Sequence, residues 1–399
     1  MKHLSSLLIL FCFGLVSAQT QVIFWHSQDA TEELVQTFAD EFNASQSDYV
    51  ILPEYAGNYQ EASIKLAAAL GGSNAPAMFD AEVTVFPRLL EEDAIANLSD
   101  LISDLPAELM DDFYPALWDY GLADGERYGL PWNMSMPVLF YNETALEQRN
   151  VAPPTTWGEF EAAAERLTTR NTKGYIDVAA AFIFEALVTT RGSSVVTEEG
   201  QPNFDSPEAV EALTMLQRMS RERSSIPRGF GDLDQALVDF ARTKAMMAIA
   251  SEAFFPQGER FTVAFEVAAA PLPVGSSSAV PLMAAQLVVL KNASQEQQQA
   301  AVAFWEFLMQ PEVQQRWVEE SYFLPVRRSV AETLQPWYEA SPSRGAALAQ
   351  LENAVERPRV GAYTTWQGYL QEAIERATKG RGDPAEVLQE AQRRALESR

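Results

Sequence analysis

The chain has 399 residues, 47% of them hydrophobic, with a formal charge of −26, two histidines and a single cysteine. So acidic a surface repels phosphate backbones and anionic lipid, which argues against nucleic acid or a charged membrane as partner. It still allows a small anion held by one arginine and a few aimed N–H groups.

In chain order, Lys2 and His3 precede an apolar run from Leu7 to Val16 and the small residues Ser17 and Ala18. That is the pattern of a secretory signal peptide over residues 1–18, so the mature protein is expected to be exported to the periplasm or extracytoplasmic space. Cleavage there removes Cys12 and His3, leaving His26 as the single histidine and no thiol. A chain long enough for about two domains needs no disulfides to hold its core. No later stretch reaches the roughly 18 apolar residues of a membrane helix.

Residues 21–25 read as a buried strand, and Asp29 with Glu32 as a capping pair opening a helix that carries Leu34, Val35, Phe38 and Phe42. The pattern repeats as a strand over 48–55, a turn, a helix stopped at Gly71-Gly72, and a short strand over 77–83. Strand and helix alternating in this way predict right-handed crossovers and a largely parallel sheet. Segment 131–142 is extended because Pro131 and Pro137 forbid a helix. Thr156 with Glu159, and Ser206 before Pro207, open two further helices. Residues 260–275 and 282–290 read as strands, and 292–326 as a helix broken at Pro311 with a second helical segment and an extended exit.

The extended segments near 131–142 and 262–272 are where the chain is expected to pass between two α/β domains. A ligand is then sought in the cleft at the carboxyl ends of the strands. The boundaries read as lobe 1 over 19–130 plus 272–325, and lobe 2 over 131–271 plus 326–399.

Catalytic chemistry finds little to work with. The segment GSSSA at 275–279 lacks the last glycine of a nucleophile elbow, follows a Pro-Leu-Pro-Val loop, and would depend on His26 as its base. One histidine without cysteine cannot build a zinc site, and no calcium loop or phosphate loop occurs, so neither metal nor nucleotide cofactor is expected. A glycosidase carboxylate pair stays open, because acids are abundant and their separation is invisible in sequence. What remains is a binding protein. His26 is read as the end of the first strand at the cleft wall, with direct ligand contact as the alternative.

Several stretches carry a resemblance in one order along the chain: FWHS (24–27), PEYAGNY (53–59), NAPA (74–77) with Glu82-Val83, PWNMSMPVLFYN (131–142), TTWGEF (155–160), AMMAIAS (245–251), LMQPEVQQRW (308–317) with FLPV, and RPRVG (357–361). Together they resemble the extracellular solute-binding proteins of carbohydrate ABC importers, and within them the glycerophosphate-binding subgroup. The resemblance implies a two-lobed periplasmic-binding-protein fold that closes on a polyol phosphate or sugar and docks, as a monomer, on permease transmembrane subunits. It places Tyr59, Glu82, Ser135 and Arg359 where the family contacts its ligand. Ser251 takes a serine role that falls on Ala250 unless the loop shifts by one. Arg359 would clamp a phosphate, Tyr59 and Ser135 would donate to it, and Glu82 would accept from glycerol hydroxyls. A Gly-Gly pair of the family is Met283-Ala284 here, and a family tyrosine falls on Phe323 beside Tyr322. Trp132 and Tyr322 are further candidate contacts, Trp132 as a platform for a neutral sugar, the alternative ligand. Turnover by a secreted hydrolase is the remote one.

Overall fold

The computed structural model describes residues 19–72, 74–256 and 265–398. The leader expected at 1–18 and the start of the strand expected at 260 lie outside the described residues. Two five-stranded sheets organise the chain.

The first sheet begins with β1 (Thr20–His26), β2 (Tyr49–Tyr55) and β3 (Met78–Glu82). Both β2 and β3 pair parallel to β1, as the alternation with helices Glu32–Ser45 and Tyr59–Ala69 requires. A small ribbon of β4 (Leu122–Ala123) and β5 (Glu126–Arg127) precedes β6 (Gly129–Ser135). The second sheet uses β7 (Pro137–Asn142), β8 (Lys173–Val178), β9 (Ser225–Arg228), β10 (Ala245–Ser251) and β11 (Val267–Ala270), in the order β11-β7-β10-β8-β9. The chain then returns through β12 (Val280–Pro281), which pairs with β14 (Ala354–Val355), to β13 (Met283–Val289). Strand β13 enters the first sheet between β3 and β6, antiparallel to both. The sheet is therefore mixed, and only its β2-β1-β3 part is parallel.

Since β6 stays in the first sheet to Ser135 and β7 starts the second at Pro137, the first passage between sheets is the single residue Met136, not residue 131. Its amide donates to the buried Glu252 carboxylate at 2.8 Å, and its carbonyl accepts from the Glu252 amide at 3.3 Å. Local capping follows the sequence at several helix starts. Thr156 accepts from the Glu159 amide at 3.2 Å and Ser206 from the Ala209 amide at 3.2 Å, while Asn58 and Glu61 form a reciprocal capping box. The Asp29–Glu32 pair does not cap: the helix starts at Glu32 behind Thr31, with no side-chain cap bond.

Candidate functional site

The carboxyl ends of β1 and β3 and the end of β6 lie at the edge of the first sheet where the chain crosses to the second. In register, His26 stands opposite Tyr55, Glu82 opposite Ala285 and Ser135 opposite Met283. Backbone geometry alone therefore collects the polar residues that follow these strand ends. The Gln28 side-chain amide donates to the Tyr59 hydroxyl at 2.7 Å and to Asp80 Oδ2 at 2.7 Å. The Ser27 amide reaches the same Asp80 oxygen at 3.5 Å, and Asn133 Nδ2 donates to Tyr59 at 3.3 Å. Burial pushes the Asp80 carboxyl up to about 7, against the bonds from Gln28 and Ser27 that favour its charge. Burial, and then the neighbouring Asp80, push Tyr59 well above its ordinary value, so it stays a neutral hydroxyl.

His26 is 1% exposed. Its Nδ1 accepts from the Gln28 amide at 3.3 Å, and its ring leans on Phe24 and Tyr55. Burial lowers its pKa to about 4, so it is neutral at ordinary pH. Its contacts are those of a wall residue that shapes the turn carrying Gln28.

Opposite stands an ionic group built from distant segments. Arg357, in the loop after β14, gives its Nε and Nη2 to the two Glu185 oxygens at 2.7 and 2.8 Å. Its Nη1 donates to Glu82 Oε1 at the end of β3, so one guanidinium joins the helix Ala181–Thr189 to the first sheet. Tyr363 donates to Glu185, and the Tyr120 hydroxyl donates to the Arg357 carbonyl at 2.7 Å. Burial alone would lower the Arg357 pKa, but Glu185 and then Glu82 outweigh it and hold the guanidinium charged. The other Glu82 oxygen accepts from the Thr84 amide at 3.1 Å, and Gln367 reaches Thr84 Oγ1 at 3.0 Å. Gly361 N donates to Glu91 at 3.1 Å.

The residues expected at the site divide. Tyr59 and Glu82 are in these networks, and Ser135 is buried at the crossing. Ser251 is buried beside them, its hydroxyl capping the Ala253 amide at 3.2 Å and facing Glu252 at 3.4 Å. Arg359 does not join them. Its Nη2 donates to the carbonyls of Leu122 and Tyr120 at 2.7 and 3.3 Å, and its guanidinium lies 5.0 Å from the Tyr120 ring. The residue stapled in this way lines an open groove of about 420 Å³ with Glu91, Glu199 and Gln201. Trp132, expected as a platform, is 1% exposed and packs on Trp317 with ring centres 4.6 Å apart. Tyr322, at φ +61°, ends the helix Pro311–Ser321 and stacks on Phe255 at 5.4 Å.

Gln28, Asp80, Asn133, Glu185 and Arg357 escaped the sequence reading. Arg357 had a signal, because it sits two residues from Arg359 in the same RPRVG stretch. In a strand, residues two apart share a face, but this loop contains Pro358 and belongs to no strand, so that rule does not transfer. Among the described residues no group of three or more acids, histidines or cysteines could hold a metal, and no helix is long and apolar enough to cross a membrane.

Residues 37–346 match the family model of bacterial extracellular solute-binding proteins. The sn-glycerol-3-phosphate-binding periplasmic protein UgpB of Yersinia pseudotuberculosis is 23% identical, over 94% of this chain and 92% of its own. Among solved structures, the substrate-binding protein Lmo0181 of Listeria monocytogenes in complex with cycloalternan superposes with a TM-score of 0.86 at 21% identity, covering 96% of this chain and 99% of that one. UgpB of Mycobacterium tuberculosis in complex with glycerophosphocholine gives 0.85 at 19% identity, covering 96% and 98%. The two-sheet, two-lobed architecture and the family match place this chain among the bacterial extracellular solute-binding proteins.

Proposed function

We propose that this protein is the capture subunit of an ABC importer, holding a polyhydroxylated small molecule between its lobes and presenting it to a membrane permease. The observation that carries this reading is the wall of Gln28, Tyr59, Asp80 and Asn133. It is a connected set of neutral donors and acceptors at the strand ends of one lobe, with the Glu82 carboxylate beside it. Such groups exchange bonds with vicinal hydroxyls at little cost, because each can donate or accept as the ligand demands. Tyr59, Glu82, Ser135 and Ser251 are the assigned contacts, and Gln28 and Asn133 join them. The lobe boundaries proposed are those read from the sequence, with the first passage moved to Met136.

A phosphate-bearing polyol is the second reading. The whole-length likeness to sn-glycerol-3-phosphate-binding proteins and the glycerophosphocholine complex of the Mycobacterium relative favour it. In that case Arg357, not Arg359, is the group to meet the phosphate. Calorimetric titration with ribitol, maltose, glycerol-3-phosphate and glycerophosphocholine tests the function. Binding of at least one that weakens in Asn133→Ala supports it. Binding of none of the four, with the protein folded, rejects a hydroxylated ligand of this size.

A further inference from the structure

The guanidinium of Arg357 ties the helix Ala181–Thr189 to the end of β3, and most of its donors are already taken. Three of its five donors go to carboxylates, two to Glu185 and one to Glu82, so the group carries two negative charges against one positive. Glu185 makes the bidentate pair with Arg357 and takes the Tyr363 hydroxyl, whereas Glu82 makes one bond to Arg357 and is otherwise held by the amide and hydroxyl of Thr84; the Glu185 side chain is 3% exposed against 16% for Glu82. With the Arg357 side chain 5% exposed, the more exposed Glu82 is the partner that an incoming anion would displace to make a bidentate pair with the guanidinium. The displaced carboxylate would then face the anion in a partly desolvated cleft where like charges repel strongly.

We infer that Glu82 and Glu185 cage Arg357 so that the cleft rejects anions and selects an uncharged sugar or polyol. This rests on the polyhydroxylated-ligand reading and narrows it. An uncharged ligand leaves the cage intact, and its hydroxyls can donate to Glu82 without breaking the pair. Removing one carboxylate charge uncovers the guanidinium, and the site turns towards phosphate.

The test compares inorganic phosphate and glycerol-3-phosphate with ribitol and maltotriose by calorimetry, on the wild type, Glu82→Gln and Glu185→Gln. The expected result is an affinity for both phosphates that rises by about tenfold or more in Glu82→Gln, a gain of roughly 1.4 kcal/mol. The same gain in Glu185→Gln supports the cage further, and Glu82→Gln alone decides if the more buried substitution fails to fold. Phosphate binding by the wild type that equals either variant's, or that disappears in Arg357→Gln, overturns the inference, as does a variant that gains nothing. Absence of binding by ribitol and maltotriose defeats the parent reading instead, and the phosphate comparison between wild type and variant stays readable.

Discussion

The two walls of the cleft are held together by different physics. On the first sheet, Gln28, Tyr59, Asp80 and Asn133 share a neutral network whose members come from residues 28 to 133 and are set by strand ends. On the facing side, an ion pair of Glu185 and Arg357 is buttressed by the Tyr363 hydroxyl, with the arginine drawn from a loop more than 170 residues away. The neutral wall offers exchangeable bonds, and the ionic wall offers almost none, because every charge in it is answered. In the proposed function, selection for hydroxyls therefore falls to one lobe and discrimination by charge to the seam between them.

The sharpest way to break this contrast is to unbalance the ionic wall. Arg357→Ala leaves Glu185 buried without its cation and should cost about 3–5 kcal/mol, read from urea unfolding. Next in size are two buried acids with opposite surroundings. Asp80 is bonded by Gln28 and Ser27, while Asp177 in β8 has no partner for either oxygen, yet burial pushes both up to about 7. An acid whose folded pKa lies above its unfolded value keeps its proton longer in the native state. It therefore costs stability as pH rises from about 4 through about 7. Asp177→Asn should accordingly stabilise the protein by on the order of 2–4 kcal/mol at pH 8 and by little at pH 4, checked by thermal unfolding at both. His26 pulls the other way: its folded pKa of about 4 lies below the ordinary value, so its contribution is lost as pH falls from about 6.5 to about 4. His26→Gln should flatten that acid limb.

A smaller effect belongs to the neutral wall. Tyr59→Phe removes the acceptor for both Gln28 and Asn133, and should weaken ligand affinity by about 1–2 kcal/mol without moving the unfolding midpoint comparably. Smallest is Arg359→Ala. Its side chain is 34% exposed and holds carbonyls of residues 119–122, the Tyr120 ring and the half-exposed Glu356, so stability should fall by about 0.5–1.5 kcal/mol and ligand affinity should stay unchanged. A large affinity loss there would return the anion clamp to Arg359.

Elements set by local chemistry were readable from the sequence. The first strand and its end at FWHS, the capped helix after Thr156, and the break at Pro311 all follow from periodicity and caps. Tyr59 and Glu82 came from the family resemblance alone, and both lie in hydrogen-bonded networks at the strand ends. What stayed hidden depends on contacts that only the folded chain makes. Gln28 and Asn133 are far apart in sequence and meet only through the Tyr59 hydroxyl, and Glu185 lies in a helix that reads as apolar core. Trp132 looked like a sugar platform because aromatic residues announce surface and core use alike; Trp317, which covers it, is 185 positions away. The choice between Arg357 and Arg359 turned on the path of one proline-containing loop, which carries no periodic signal.

Strand β13 fills the gap between β3 and β6, yet it is made only after the entire second sheet. During synthesis the first lobe thus waits with an open slot at its centre until residues 283–289 emerge, while the strands of the second lobe are already complete. Long-range closure of this kind is slow. A chain that cannot finish its first lobe early remains threadable for longer, and the order of its strands acts as a timer on when it becomes a folded object.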